Sequence, residues 1–62
     1  MKKVAALRQM PSVPFGTYGK VIDKYEYFDR RYIVVEFDNG VRMDFGEESH
    51  PLISYKGWLK PL

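Results

Sequence analysis

The stretch "YIVVEFDNGVRMDF", residues 32–45, decides the fold. Ile33, Val35 and Phe37 alternate with Tyr32, Val34 and Glu36, and after Asp38-Asn39-Gly40 the apolar Val41, Met43 and Phe45 alternate with Arg42 and Asp44. A period of two puts one set on a core face and the other toward solvent. Asn39 and Gly40 both accept the positive φ of a type I′ turn, so the pattern predicts a β-hairpin closed there.

Upstream, "GKVIDKYEY" places Val21, Asp23, Tyr25 and Tyr27 on one face and Ile22, Lys24 and Glu26 on the other. This predicts a strand that begins at Lys20, has Val21 toward the core and reaches the hairpin through "FDRR", residues 28–31. The opening "KKVAALRQ" mixes helix and strand preferences. Pro11 and Pro14 close the segment so soon that a strand is the better expectation, because a helix of so few residues is poorly stable. Downstream, "GEESHP" is expected to be a solvated turn, with one 3₁₀ turn over residues 47–52. "ISYKGWLKPL" is expected to be a last strand, interrupted at Gly57 and stopped by Pro61.

Five short strands in a chain of 62 residues leave few architectures. Curling a small sheet buries one face of every strand around one core. The expectation is therefore all-β, a small five-stranded SH3-like partly open barrel forming a single domain over residues 1–62. An OB-like barrel is the alternative, and it usually needs more residues. A domain this small buries only about 60% of its unfolded surface. The chain has no cysteine to reinforce it, but hydrophobic residues make up 45% and aromatic residues 16%. Each aromatic can bury on the order of 150–250 Å², so a core is within reach.

The net charge of +2 is weak for a dedicated nucleic-acid binder. No apolar run approaches a membrane span, and the "VAAL" after Lys2 and Lys3 is too short for the apolar core of a signal peptide. A cytoplasmic protein without membrane contact is expected.

The run from "VAALRQMP" through "FGTYGKV" to "YIVVEFDNG" resembles a group of small bacterial SH3-like domains of mostly uncharacterised function. In them a short V-A-L strand leads through proline to a G-x-x-G-x-V entry and a Y-x-V-E-F-x-x-G hairpin. The same entry is similar to the KOW segment of transcription and ribosomal proteins. The likeness covers roughly residues 4–45. It implies the barrel and, on the KOW side, RNA or DNA binding; one small barrel hosts many partners.

Gly16, Gly19 and Lys20 raise the question of a phosphate-cradling loop. Such a loop needs G-x-x-x-x-G-K-[ST] before a helix, whereas Val21 follows Lys20 here, Pro14 stands where the first glycine belongs, and the next segment has strand period. Both glycines are expected instead to let the chain turn out of Pro14 into the strand. The one histidine, His50, precedes Pro51, and with Glu47, Glu48 and Ser49 it lies in the solvated turn. No catalytic residues are assigned, and no metal site is assigned to Asp44, Glu47, Glu48 and His50. No cofactor is expected.

Binding is the function that remains. Tyr18, Tyr25, Tyr27, Phe28, Tyr32, Tyr55 and Trp58 are more aromatics than so small a core encloses. The leading expectation is a non-enzymatic module for protein–protein interaction, with Tyr27, Phe28, Tyr32 and Trp58 as apolar contacts and Arg30 and Arg31 as polar anchors. The alternative is KOW-like RNA or DNA binding with Lys20, Lys24, Arg30, Arg31, Lys56 and Lys60 on phosphates. A monomer, or a weak homodimer through an open strand edge, is expected.

Overall fold

The computed structural model describes residues 3–46 and 57–62. Five strands, β1 (Lys3–Ala6), β2 (Tyr18–Tyr27), β3 (Arg30–Phe37), β4 (Arg42–Gly46) and β5 (Leu59–Pro61), form one antiparallel sheet in the order β4-β3-β2-β1-β5. The sheet is curled: Phe45 of the edge strand β4 and Leu59 of β5 belong to one buried cluster with Val4, Ala6, Ile33, Val35 and Phe37. The protein is thus an all-β open half-barrel, consistent with a small SH3-like barrel. The expected turn over residues 47–52, the last-strand residues 53–56, His50, Tyr55 and Lys56 lie outside the described residues.

The alternation read in the hairpin positions the core. Ile33, Val35 and Phe37 are buried, and the Phe37 and Phe45 rings meet edge to face at 6.5 Å between centroids. Fully burying each such side chain contributes roughly 1.5–3 kcal/mol. The loop between β1 and β2 closes one end of the half-barrel. Met10 and Val13, both buried, exchange backbone hydrogen bonds of 2.8 and 3.0 Å around Pro11-Ser12. Proline fixes φ at the second position of that turn and Ser12 takes φ 62° at the third, the arrangement of a type II turn.

Four sequence expectations change. First, β2 starts at Tyr18, two residues before Lys20. Gly16 does have the left-handed φ of 85°, within a turn held by Thr17 N–H donating to the Pro14 carbonyl at 3.1 Å. Gly19 needs no unusual φ; it is a strand residue against which the core packs. A Cβ there would stand 2.9 Å from Phe37 Cδ1 and 3.1 Å from the Glu36 carbonyl oxygen.

Second, the turn at residues 38–40 is not type I′. Only Gly40 has positive φ, 86°. The Gly40 amide donates to the Phe37 carbonyl and the Phe37 amide to the Val41 carbonyl, each at 2.8 Å, which is a three-residue connection ending in a left-handed glycine. Asn39 serves through its side chain, donating to the Ser12 carbonyl at 2.6 Å and so tying this turn to the β1–β2 loop.

Third, the two-residue type I′ turn lies at Phe28-Asp29, with φ 50° and 61° between the paired Tyr27 and Arg30. The "FDRR" connection therefore shrinks to two residues, and Arg30 and Arg31 belong to β3.

Fourth, the β2–β3 register shifts between Val21 and Asp23. Ile22 is the extra residue of a bulge, so Asp23 and Tyr25 leave the face that Val21 shares with the core. Leu59–Pro61 is the described part of the last strand, and Gly57 precedes it.

Candidate functional site

Pairing fixes what each face of β2–β3 carries. Directly opposed residues share a face, so Gly19, Val21, Lys24 and Glu26 lie on the concave side with Phe37, Val35, Ile33 and Arg31. Lys20, Asp23, Tyr25 and Tyr27 lie on the convex side with Glu36, Val34, Tyr32 and Arg30. Among the described residues the two strands continue alone beyond Tyr25 and Tyr32: β4 pairs with β3 no further than Tyr32, and β1 with β2 only at Tyr18, Gly19 and Lys20. The end of the hairpin is therefore a two-stranded ribbon, which is marginal by itself and must be stiffened from its base.

Three contacts supply that stiffness. The Tyr25 and Tyr32 rings stack at 5.2 Å with 17° between planes. The Tyr25 hydroxyl donates to Asp44 Oδ2 at 2.6 Å. This hydrogen bond, with burial and the charge of Asp44 behind it, pushes the Tyr25 pKa up to about 12. At the tip the Tyr27 and Phe28 rings meet at 4.4 Å and 66°. Packing on each other leaves both exposed, Tyr27 at 59% and Phe28 at 81%.

Tyr27, Phe28 and Arg30 therefore gather at the ribbon's end, with Tyr32, half-buried, one cross-strand pair behind them on the same face. Arg31 follows Arg30 in a strand and lies on the opposite face with Lys24 and Glu26, which line a shallow hollow with it. Trp58 is not part of this group. It sits half-buried against the core at the far end of β1, where its carbonyl accepts the Leu7 amide at 2.8 Å and Arg8 lies 4.9 Å over its ring.

The phosphate-contact set divides as well. Lys20 and Lys60 share the convex face, Lys24 and Arg31 share the concave one, Arg30 stays with the tip, and Lys56 is outside the described residues. Tyr25 is the residue that sequence reasoning left out of the site. With Ile22 counted as an ordinary strand position, Tyr25 falls on the core side; only the bulge turns it outward, and nothing in "VIDKY" announces a bulge.

Among the described residues, no group of three or more His, Cys, Asp or Glu side chains is placed to hold a metal ion, and no helix is long and apolar enough to cross a membrane. No protein-family model, curated protein or solved structure matches the chain.

Proposed function

We propose that the protein is a non-enzymatic, cytoplasmic SH3-like binding module that docks a protein partner through the tip of the β2–β3 hairpin. The observation that carries this is Phe28. It occupies the first central position of a type I′ turn at φ 50°, a place where asparagine or glycine is preferred, and it stays 81% exposed. A left-handed backbone at such a residue costs roughly 1–2 kcal/mol, and no burial within the described sheet offsets it. A folding requirement would select a different residue, and backbone strain of this kind clusters at binding sites.

The partner that fits has an apolar pocket for the Phe28 and Tyr27 rings and carboxylates at its rim for Arg30 and Arg31. A buried aromatic anchor ringed by polar contacts is the common form of an energetic hot spot. Because Arg30 and Arg31 face opposite sides of the ribbon, the pocket must embrace the tip, not lie flat against one face.

The test is quantitative capture from extract of the source cell, comparing the protein with its Phe28→Asn and Arg30→Ser variants. A partner bound by the parent and lost from Phe28→Asn, with the variant's melting unchanged or raised, supports the proposal. Equal capture by all three chains refutes it.

A further inference from the structure

The hairpin tip does not account for the charge at the other end of the convex face. There Lys3 stands directly opposite Lys20, while Ala5, next but one along β1, stands between Tyr18 of β2 and Lys60 of β5. All of these except the small Ala5 are exposed, Tyr18 at 59%. Neighbouring strands are about 4.8 Å apart, so Lys60 and Tyr18 flank a shallow shelf about 10 Å wide floored by Ala5.

Two features make this more than ordinary solvation. Like charges directly opposite on antiparallel strands destabilise the sheet, and Lys3 with Lys20 is such a pair. The carboxylate placed to relieve it is Glu36, Lys20's partner on β3, but Arg42 Nε holds that group at 3.0 Å. Among the described residues this is the only salt bridge. The other acids nearby are Asp23, which follows Lys20 on the convex face and whose Oδ1 accepts the Lys24 amide at 2.8 Å, and Asp38, whose amide donates to the Tyr18 carbonyl at 2.8 Å.

We infer that this face binds single-stranded nucleic acid, with a base stacked on Tyr18 and backbone phosphates on Lys3, Lys20 and Lys60. An aromatic face beside cations that form no ion pair among the described residues suits a strand whose bases are unpaired, and stacking on it is tolerant of sequence. The site is separate from the hairpin tip, which lies at the opposite end of β2, and it does not rest on the docking role proposed for Phe28.

The probe is a fluorescein-labelled dodecamer of thymidylate, followed by anisotropy across a salt series. Three phosphate contacts to a single strand give a log–log slope of about −2, and Lys20→Gln should reduce its magnitude by about 0.7. Tyr18→Ser should weaken binding roughly tenfold with the slope unchanged, and Tyr18→Phe should retain the affinity. Lys20→Gln should also raise the melting temperature at low salt, because it removes the opposed charges. Phe28→Asn should leave all of this untouched, which separates the site from the docking tip. No measurable binding, or equal binding by Tyr18→Ser, overturns the assignment. So does tighter binding to phosphatidylglycerol vesicles than to the oligonucleotide, which would make the face a contact for anionic lipid.

Discussion

The hydroxyl of Tyr25 on β2 reaches across β3 to Asp44 Oδ2 on β4 at 2.6 Å. In register terms it passes between Tyr32, its direct partner, and Val34, the partner of Asp44, so one hydrogen bond ties the base of the projecting ribbon to the edge of the sheet. Tyrosinate cannot donate, which makes the tie dependent on pH. The Tyr25 pKa is pushed up to about 12 in the folded chain against an ordinary value of 10.0. The native state therefore keeps a proton that the unfolded chain releases. The stabilisation is fully present below about pH 10 and is lost as pH rises through about 12. Thermal melts from pH 8 to 12 should decline more steeply for the parent than for Tyr25→Phe, which should melt lower at pH 8. Parallel curves would mean that the hydroxyl contributes nothing.

Phe28→Asn is expected to hold or raise stability, by up to about 1 kcal/mol, because asparagine tolerates the left-handed conformation at the start of a type I′ turn. Urea unfolding gives the answer directly. A loss of stability would show that the exposed Phe28 ring supports the fold through its contact with Tyr27.

Gly19→Ala should cost about 1–3 kcal/mol, since its Cβ enters a filled core beside backbone that cannot move aside. The new atom would lie 2.9 Å from Phe37 Cδ1 and 3.1 Å from the Glu36 carbonyl oxygen. Gly57→Ala is the control. Among the described residues its Cβ would meet nothing nearer than Arg8 Nη2 at 3.6 Å, and its stability should stay within about 0.5 kcal/mol of the parent.

Asn39→Ala removes the 2.6 Å hydrogen bond to the Ser12 carbonyl and the acceptor of the Val41 amide. A cost of about 1 kcal/mol is expected in equilibrium unfolding. Amide exchange should quicken at Met10 and Val13, whose loop loses its anchor. Unchanged exchange there would show that the buried Met10 and Val13 side chains alone secure the loop.

The fold was legible where side-chain period and burial agree. Ile33, Val35 and Phe37 announced the core, and the residues around Pro14 and Gly16 announced the entry to β2. Backbone geometry without a compositional mark was not legible. The bulge at Ile22 reversed the faces of Asp23 and Tyr25. The Phe28-Asp29 turn has phenylalanine where a type I′ turn ordinarily has asparagine, aspartate or glycine, and that mismatch hid it. Gly19 could be seen to matter, but its reason, the approach of Phe37 from β3, is a tertiary contact. Tyr27, Phe28 and Arg30, which the sequence groups together, are also close in space, because neighbours at a hairpin end stay neighbours. It added Trp58 from the far end of β1, since sequence distance says nothing of which end of a strand a residue joins.

The most direct test of the docking tip pairs two readings on one variant: partner capture from source-cell extract and thermal melting, for the parent and for Phe28→Asn. The expected result is a captured protein depleted at least about tenfold by a variant that melts no lower than the parent, the scale of loss typical of a truncated hot-spot residue. The same proteins captured at the same yield by a well-folded Phe28→Asn would contradict it.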